Sequence, residues 1–392
     1  MSKWEKVRLG DIFKVTSGGT PSKSKPEYYK NGSIQWIRTG DLKSKYITKA
    51  SNSITEEALR NSSAKLFPID TVLIAMYGAT IGACSILAIE ATTNQACAAF
   101  LPNKRVDSSY LYYFLCSKKN ELIKLSVGGA QPNISGTILK GVSIPVPPLE
   151  VQKKIAQTLD TAAELIALRK KQRAELDNLI KSTFYEMFGD PVTNAKGWDY
   201  CLVEETIKVL EAGWSVEGVQ RERNKDEIAV LKVSAVTSGY FRETEYKVID
   251  KNLKLKKYVF PHKGDLLFSR ANTRDLVGAT CMVLEDYPEL ILPDKLWRIE
   301  FNSLSNFVYM KYILSDHTIR NSLSNISTGT SGSMYNISMD KLKSTRIPLP
   351  PLALQNQFAE IVTKIEEQKA LVQKAIDESQ YLFDSLMSEY FE

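Results

Sequence analysis

One proline-led segment occurs twice in this chain, and it constrains the fold more than any other feature. The first copy begins at Ile144-Pro145-Val146-Pro147-Pro148-Leu149 and the second at Ile347-Pro348-Leu349-Pro350-Pro351-Leu352, at an offset of 203 residues. The same offset pairs further identical residues, namely Gln152 with Gln355, Ala156 with Ala359, Glu186 with Glu389 and Phe188 with Phe391. A match at one fixed offset predicts two copies of one structural unit.

Each copy is predicted to be an extended proline segment followed by a long helix. Proline has no N–H and disfavours helix in the preceding residue, so the helix is expected to begin just after the Pro-Pro pair. From there apolar residues recur at helical spacing and form a narrow stripe of the coiled-coil type. Because one such stripe cannot bury itself, each helix is expected to pack against the other. The stripe residues are Ile155, Leu159, Ala162, Ile166, Leu176, Ile180, Phe184 and Met187 in the first copy, and Phe358, Ile361, Ile365, Val372, Ala375, Leu382 and Leu386 in the second.

Composition narrows the class of protein. The 392 residues suffice for two or three domains, and the net charge of +6 permits a nucleic-acid partner without requiring one. No apolar run approaches the roughly 18 residues of a membrane span, and the polar first residues do not form a signal peptide. The five cysteines lie in no C-x-x-C spacing and there are two histidines, so no metal site is expected. We therefore expect a cytoplasmic protein that does not enter the membrane.

The segments between the helices also repeat, but more loosely. Residues 1–148 predict a mixed α/β domain, with strands at residues 34–38 and 71–76. Residues 190–347 repeat this pattern, and Gly278-Ala279-Thr280 repeats Gly78-Ala79-Thr80 at an offset of 200 residues. The α/β chain is thus divided into a domain (1–148), a long helix (149–189), a second domain (190–347) and a second long helix (348–392). Similar helices with diverged domains suit the binding of two different targets.

These motifs together resemble the specificity (S) subunit of type I restriction-modification systems, the HsdS family, over essentially the full length. The resemblance is carried by the two P-x-P-P-L-x-x-Q helix starts, the Gly-Ala-Thr turns at Gly78 and Gly278, Asn94-Gln95, and Gln131-Pro132-Asn133-Ile134-Ser135. In the second half, Asp294-Lys295 stands at the position of Asn94-Gln95.

The resemblance implies a fold and a function. Each mixed α/β domain would be a target recognition domain, like those of methyltransferases, that reads one part of an asymmetric bipartite site in double-stranded DNA. The long helices would pack antiparallel as a coiled coil, and the two halves of the chain would form a pseudo-twofold internal repeat. The helix pair would set the distance between the two recognition domains and dock two methyltransferase (M) subunits. Those subunits would methylate adenine with S-adenosylmethionine, and restriction (R) subunits would add ATP-dependent cleavage. S-adenosylmethionine, ATP and Mg would be bound by partner subunits, and no cofactor by this chain.

The residues give no sign of a catalytic site within the chain. Gly78 to Gly82 is rich in glycine but forms neither a G-x-G-x-x-G nor a P-loop motif. The Pro-Pro pairs are not part of the Asn/Asp-Pro-Pro-aromatic motif of amino-methyltransferases, and His262 and His317 have no nucleophile motif beside them. We therefore expect a non-catalytic subunit. Two alternatives remain: a free-standing DNA methyltransferase or nuclease with a divergent active site, and a paired-domain protein scaffold without a DNA role.

Cations for phosphates and polar side chains for base edges indicate where DNA would be contacted. The cations are Lys23, Lys25, Lys30, Arg38, Lys43, Lys45 and Lys49 in the first domain, and Arg221, Arg223, Lys225, Lys251, Lys254, Lys256, Lys257, Arg270 and Arg274 in the second. The base-reading candidates are Ser17, Gly18, Gly19, Thr20, Arg38, Thr39, Tyr77 and Gln131, and in the second domain Lys232, Ser234, Arg270, Asn272, Arg274, Thr330, Ser331 and Ser333.

Two of these interpretations have a structural alternative. Arg270 and Arg274 suit bidentate contacts to guanine, but either arginine could equally form an internal ion pair. The basic run of Arg169, Lys170, Lys171 and Arg173 interrupts the first helical stripe. A solvated bend is favoured there over contact with DNA or with a partner.

Overall fold

The structure is a computed structural model that describes residues 4–126, 133–325 and 335–392. Gln131, Thr330, Ser331 and Ser333 lie outside these residues. The chain divides into two compact units, each described here by itself. The first unit comprises Met1–Lys171 and Gln373–Glu392, and the second comprises Gln172–Val372. Each unit therefore contains one mixed α/β domain and one half of each long helix.

The first unit contains three sheets. The five-stranded sheet has the order Val15–Ser17, Cys97–Phe100, Val72–Ala75, Cys84–Leu87 and Tyr46–Ile47. The four-stranded sheet has the order Asn52–Ile54, Ile34–Ile37, Ala91–Thr93 and Leu66–Phe67. A two-stranded sheet joins Lys6–Arg8 to Ser143–Pro145, so that the start of the domain pairs with the proline segment. The predicted strands at 34–38 and 71–76 are confirmed within one or two residues.

The helices of the first unit are short apart from the two long helices. The α-helices are Leu9–Ile12, Glu56–Arg60, Ser108–Ser117, Lys119–Lys124 and Gly136–Gly141, with 3-10 helices at Pro26–Tyr28 and Thr39–Asp41. Helix Ser108–Ser117 covers the five-stranded sheet and contributes Tyr110, Leu111 and Phe114 to the main core of the unit. Asp107 caps this helix by accepting a 3.0 Å hydrogen bond from the Tyr110 amide.

The second unit repeats this arrangement with one strand fewer in each of its two larger sheets. Its four-stranded sheet has the order Ile207–Ala212, Leu296–Phe301, Leu266–Ser269 and Thr280–Met282, and its three-stranded sheet the order Tyr246–Val248, Ala229–Leu231 and Leu290–Ile291. Two-stranded sheets join Tyr200–Leu202 to Arg346–Pro348 and Ala271–Asn272 to Tyr335–Asn336. The helices are Val203–Thr206, Phe307–Ser315, His317–Asn325 and Met339–Lys343, with a 3-10 helix at Val233–Ala235.

Backbone details confirm the internal repeat. Asp70 and Gly264 precede equivalent strands, and both have positive φ angles, of 65° and 90°. Gly18 and Gly213 are equivalent as well: a Cβ atom would lie 2.0 Å from the Thr93 carbonyl oxygen in one unit and 1.9 Å from that of Leu292 in the other. No side chain fits at such a distance, so both positions require glycine.

The central long helix spans Leu149–Phe188 and the C-terminal long helix spans Leu352–Phe391. In the second unit, Phe188 packs against Phe358 with ring centroids 5.3 Å apart, while Asp177 pairs with Lys369 at 2.6 Å. From residue 177 to residue 188 of the central long helix, the contacted residues of the C-terminal long helix run backwards from 369 to 358. The halves within this unit are therefore antiparallel.

The first unit shows the same direction of packing. Tyr113 donates a 2.6 Å hydrogen bond to Asp160 and its ring packs against Phe383, whereas Arg169 donates to the Ala375 carbonyl at 2.5 Å and to the Ser379 hydroxyl. The predicted class of fold, mixed α/β domains with long antiparallel helices in an internal repeat, is confirmed. The four domain boundaries drawn from the sequence stay a prediction.

Two details of the predicted helix stripe were wrong. Ile361 and Leu382 are exposed at 38% and 55%, whereas Phe358 and Ile365 of the predicted stripe are buried and Val362 is buried in place of Ile361. The buried face of the C-terminal long helix follows spacings of three and four residues, with one spacing of seven between Lys369 and Ile376; its buried residues are Gln355, Phe358, Val362, Ile365, Lys369, Ile376 and Ser379. Arg169 does not mark a solvated bend, because its guanidinium bonds across the helix pair.

The described residues include no helix long and apolar enough to cross a membrane. Nor do they contain a cluster of three or more histidine, cysteine or acidic side chains that could hold a metal ion.

Candidate nucleic-acid interface

A polar cleft of about 520 Å³ opens beside the four-stranded sheet of the first unit. We call it the Asn94 cleft; its polar lining consists of Thr20, Lys23, Arg38, Asn52, Asn94 and Gln95, and its aromatic wall of Tyr29 and Trp36. The cleft brings together three residues predicted to contact DNA, Thr20, Lys23 and Arg38.

The aromatic wall of the cleft is held by backbone groups. Trp36 lies on strand Ile34–Ile37 and donates its indole N–H to the Gly19 carbonyl at 3.1 Å. Tyr29 packs edge-on against Trp36 with ring centroids 5.7 Å apart and donates its hydroxyl to the Pro21 carbonyl at 2.5 Å. Both rings are therefore fixed in place and present apolar surface to whatever enters the cleft.

The glycine turn positions the edge of the cleft. The Gly19 amide donates a 2.9 Å hydrogen bond to the Thr93 carbonyl, and Gly18 lies too close to Thr93 for any side chain. The turn leads from strand Val15–Ser17, and it brings Thr20 to Gln95, whose side-chain oxygen accepts a hydrogen bond from the Thr20 hydroxyl. Gly18 and Gly19 are buried, so their part in the site is to position Thr20.

Asn94 leaves one hydrogen-bonding group unused at the cleft. Asn94 Oδ1 is buried and has no hydrogen-bond partner in the described part of the chain. The Asn94 backbone is fixed by its amide, which donates to the Ile37 carbonyl at 2.9 Å. A buried acceptor without a partner loses its hydration and gains nothing within the protein. An incoming donor, such as an amino group on a base edge, would satisfy it.

The other predicted residues of the first unit lie outside the cleft lining. Lys25 donates to the Tyr28 hydroxyl at 3.0 Å, and this hydrogen bond raises the pKa of Lys25. Thr39 begins a 3-10 helix, Lys43 is exposed just beyond it, and Tyr77 pairs through its backbone with Asn133. Ser17 ends its strand opposite Ala98. Lys45, one of the cations, pairs with Asp160 at 2.5 Å, which ties the domain to the central long helix.

In the second unit, Arg221 and Arg223 are engaged within their own loop. Arg221 makes a bidentate pair with Glu227, with both nitrogen–oxygen distances at 2.7 Å. The hydrogen bonds from Arg221 hold the pKa of Glu227 at about 2. Arg223 donates to the carbonyls of Asn224, Lys225 and Glu227, each at 3.1 Å. These arginines shape the loop, and their positive charges are partly neutralised there.

Lys232, Ser234 and Arg270 also have internal partners. Lys232 and Ser234 both contact Glu245, at 2.8 and 2.6 Å, and the hydrogen bond from Lys232 lowers the pKa of that carboxyl group. Arg270 donates to the Asp294 carbonyl at 2.8 Å and lies 3.4 Å from its carboxylate. Asn272 accepts a 2.8 Å hydrogen bond from the Thr273 amide, and Arg274 is exposed.

The two units thus differ chemically at one equivalent position. The first presents the neutral amides Asn94 and Gln95, whereas the second presents Asp294 and Lys295, with Asp294 already paired to Arg270. A similar frame therefore carries different hydrogen-bonding groups.

Comparison with known proteins assigns the chain to a family. The sequence profile described as "Type I restriction modification DNA specificity domain" matches residues 1–178 and 198–379. The chain belongs to this family. It is similar to the type I restriction enzyme MjaIX specificity subunit of Methanocaldococcus jannaschii, with 35% identity over 219 residues, 55% of this chain and 50% of that one. It is also similar to the EcoKI specificity subunit of Escherichia coli K12, with 24% identity over 384 residues, 93% of this chain and 82% of that one.

The share of each relative's length that this chain matches differs among the type I specificity subunits. The matched segments span half or less of the MjaIX, EcoR124I/EcoR124II and EcoEI subunits, at 50%, 39% and 29% of their lengths. The fold is similar to the crystal structure of a type I restriction-modification S subunit from M. genitalium, with a TM-score of 0.58, 14% identity, and coverage of 100% of this chain and 96% of that one.

A second solved structure, from a study of complex assembly and conformational transition of the type I restriction-modification system, has a TM-score of 0.63 and 15% identity. It covers 99% of this chain and 97% of that one. At such identities the likeness concerns the fold of this specificity-family chain. The expected family and fold are confirmed, and the individual DNA-contacting residues stay predictions.

Sequence reasoning missed part of the lining of the cleft. Asn94 and Gln95 carried the family resemblance but were not among the predicted DNA contacts, and neither were Asn52, Tyr29 and Trp36. The run from Ile34 to Arg38 was predicted as a strand, and that prediction gave no sign that the Trp36 ring lines a polar cleft.

Proposed function

We propose that this chain is the DNA sequence-recognition subunit of a type I restriction-modification complex. Its two domains bind the two parts of an asymmetric bipartite site in double-stranded DNA. Two methyltransferase subunits dock on the chain and methylate adenine with S-adenosylmethionine, and restriction subunits add ATP-dependent cleavage. S-adenosylmethionine, ATP and Mg belong to the partner subunits, and this chain holds no cofactor and catalyses no step.

The Asn94 cleft is the observation that supports this proposal most directly. Recognition of a base edge needs hydrogen-bonding groups that are fixed in direction and free of internal partners. Asn94 Oδ1 has no internal partner in the described part of the chain, its backbone amide is held by the Ile37 carbonyl, and the rings of Tyr29 and Trp36 line the same cleft. Lys23 and Arg38 add positive charge at the same cleft, where a phosphate backbone would pass. Arg38 and Thr20 remain our candidates for further base contacts.

The different groups at Asn94 and Asp294 support an asymmetric site. Each domain would read a different half-site, because an amide and an ion-paired carboxylate favour different base edges. In the second domain the predicted contacts Arg270 and Lys232 have internal carboxylate partners. DNA binding there has to compete with these ion pairs.

The proposal is tested with the chain assembled with its methyltransferase subunits. Methylated adenines are mapped by sequencing plasmid libraries in which either half-site is randomised. Asn94→Ala is expected to lower methylation of the cognate site by about 10- to 100-fold, the equivalent of one lost base contact of about 1–3 kcal/mol. The preference at the other half-site should be unchanged.

Asn120→Ala is the matched control, since Asn120 is exposed on helix Lys119–Lys124 away from the cleft. An Asn94 variant with wild-type preference at both half-sites would exclude the cleft as a reading site. A second measurement separates the enzymatic alternative: the purified chain is incubated with DNA and S-adenosylmethionine bearing a labelled methyl group. We expect no labelled DNA until methyltransferase subunits are added, and methyl transfer by the chain alone would favour a free-standing methyltransferase.

A further inference from the structure

We propose that the second unit contains a binding site for a phosphate-type oxyanion, in a small pocket built around Lys311. We call it the Lys311 pocket; its polar lining consists of Lys181, Lys311, Ser315, Asp316 and His317, and its volume is about 250 Å³. Each water molecule occupies about 30 Å³ of liquid volume, so the space suits a tetrahedral oxyanion with a few waters. This site does not depend on the function proposed for the Asn94 cleft.

Lys311 is an ammonium group in an unusual position. It lies on helix Phe307–Ser315, on the side that packs against the core, and it is only 9% exposed. Its Nζ lies 3.8 Å from the centre of the Tyr312 ring. Within residues 4–126, 133–325 and 335–392, no carboxylate lies within 4.0 Å of this nitrogen and no group accepts a hydrogen bond from it. A buried charge without a charged partner is costly, and a bound anion would offset that cost.

The acidic residues whose charges act most on Lys311 both pair with another lysine, Lys369. Asp177 pairs with Lys369 at 2.6 Å, and Glu366 pairs with the same lysine at 2.9 Å. Burial of Lys311 lowers its pKa to about 8, against the opposing attraction of Glu366 and Asp177. At neutral pH the ammonium therefore remains mostly protonated and available to an anion.

The one acidic side chain of the polar lining is also used internally. Asp316 accepts hydrogen bonds from the amides of Thr318 and Ile319, at 2.9 and 3.2 Å, and so caps helix His317–Asn325. Its second oxygen accepts a 2.6 Å hydrogen bond from the Tyr185 hydroxyl. Lys181 and Lys311 remain as positive charges in the lining, together with the Ser315 hydroxyl, which is hydrogen-bonded to Thr280 at 2.6 Å. The balance of charge in the pocket favours an anion.

The first unit lacks this arrangement at the equivalent positions. Tyr112 stands where Lys311 stands, at the offset of 199 residues that also relates Tyr110 to Tyr309. In the folded strands Cys84 takes the place of Thr280, because Cys84 pairs with Ile74 as Thr280 pairs with Phe268. Cys116 takes the place of Ser315 at the offset of 199 residues, and the hydroxyls of Thr280 and Ser315 lie 2.6 Å apart. The oxyanion site is therefore a property of the second unit alone, and the first unit serves as an internal comparison.

The experiment compares thermal unfolding of the full chain in inorganic phosphate and in chloride at equal ionic strength. We expect phosphate to raise the Tm of the wild type, and Lys311→Met to lose that rise while keeping the fold. Lys364→Met is the matched control, because Lys364 is exposed on the C-terminal long helix, and it should keep the full rise. Lys181→Met, on an exposed side chain, should reduce the rise without any threat to folding.

The source of the phosphate is separated by competition. If the backbone of a polynucleotide supplies it, a DNA duplex will displace phosphate from the wild type, observed as sharpening of the phosphate ³¹P signal. If free phosphate is the ligand, the duplex will leave that signal broad, and either result supports the site. The proposal is overturned if the Tm of the wild type is no higher in phosphate than in chloride. It is also overturned if phosphate raises the Tm of Lys311→Met and of Lys181→Met as much as it raises that of the wild type.

Discussion

Gln152 and Gln355 hold equivalent places in the two units and make the same set of hydrogen bonds. Gln152 Oε1 accepts from the Asp107 amide at 2.9 Å, and its Nε2 donates to the carbonyls of Arg105 and Pro147 at 2.9 and 2.8 Å. Gln355 accepts from the Asn306 amide at 2.8 Å and donates to Leu304 and Pro350 at 3.4 and 2.7 Å. The glutamine of the repeated motif thus joins a long helix to the start of the helix that covers the sheet.

Replacing either glutamine should destabilise its own unit. Gln152→Leu leaves the Asp107 amide and two carbonyls without partners at a fully buried site, and we expect a loss of about 2–4 kcal/mol in the free energy of unfolding. Gln355→Leu should give a similar loss. Chemical denaturation followed by circular dichroism measures both. Gln157→Leu, an exposed position of the same helix, is expected to change stability by less than about 0.5 kcal/mol.

A loss as small for Gln152→Leu as for Gln157→Leu would contradict the structural role of the motif. The tyrosines nearby make the test more informative, because Tyr110 and Tyr309 donate to the Pro145 and Pro348 carbonyls at 3.0 and 2.6 Å. These bonds hold the same proline segments independently. The glutamine variants should therefore remain folded.

Lys369 should contribute more to stability than other lysines of the C-terminal long helix. It is 3% exposed and contacts Asp177, Glu366 and the Tyr240 hydroxyl. Lys369→Met leaves Asp177 without its cation, and we expect a loss of about 2–3 kcal/mol. That is less than the roughly 3–5 kcal/mol of fully buried pairs, because the side chain of Asp177 is 39% exposed.

The matched control is Lys374→Met, which removes an exposed 3.9 Å ion pair with Glu378 on the same helix. Its expected effect is below about 0.5 kcal/mol. A double-mutant cycle with Asp177→Asn should then show a coupling energy between Asp177 and Lys369. A coupling of zero would mean that Lys369 acts through Glu366 and Tyr240 and not through Asp177.

How much the sequence predicted depends on the range of the interaction. The repeat, the proline-led helices and the strands were recoverable because they rest on local patterns along the chain. The buried face of the C-terminal long helix was predicted only in part, since it includes Lys369 and Ser379 while Ile361 and Leu382 face outward. A search for apolar residues at helical spacing passes over such polar positions.

The candidate site was only partly predictable for a similar reason. The Asn94 cleft assembles Thr20, Trp36 and Asn94 from three separate segments, and only the folded sheet brings them together. The partners of Arg221 and Lys232 were equally hidden, because a loop of basic residues looks the same in sequence whether or not Glu227 and Glu245 neutralise it. Composition identified where charge lies along the chain, and the structure identified which charges are engaged.

Gly18 should be irreplaceable even by alanine. A Cβ atom there would lie 2.0 Å from the Thr93 carbonyl oxygen, so Gly18→Ala must displace strand Ala91–Thr93, which leads into Asn94. We expect a loss of about 1–3 kcal/mol or more, as for other overpacked sites. Gly40→Ala is the matched control, because a Cβ at Gly40 would meet no atom within 4 Å. Thermal unfolding of the two variants measures the contrast, and equal Tm values would argue against the close approach at Thr93.

Lys311 should give the second unit a distinctive dependence on pH. Burial lowers its pKa from 10.5 to about 8 in the folded state, so the unfolded chain binds more protons between these values. Stability contributed at this site therefore rises as the pH increases from about 8 towards 10.5, and the full cost of the buried ammonium is present below pH 8. At pH 7, Lys311→Met should be more stable than the wild type by on the order of 1–3 kcal/mol.

The measurement is the difference in free energy of unfolding between wild type and Lys311→Met, in urea, at several pH values. The other charged and titratable groups around Lys311 are present in both proteins, so their contributions largely cancel in the difference; they are Asp177, Lys181, Tyr185, Tyr240, Cys281, Tyr312, Asp316, His317, Glu366 and Lys369. The advantage of the variant should shrink steadily above pH 8. If the stability advantage of Lys311→Met stays constant up to pH 10, burial does not lower the pKa of Lys311. The Lys311 ammonium would then be as well hydrated as that of an exposed lysine.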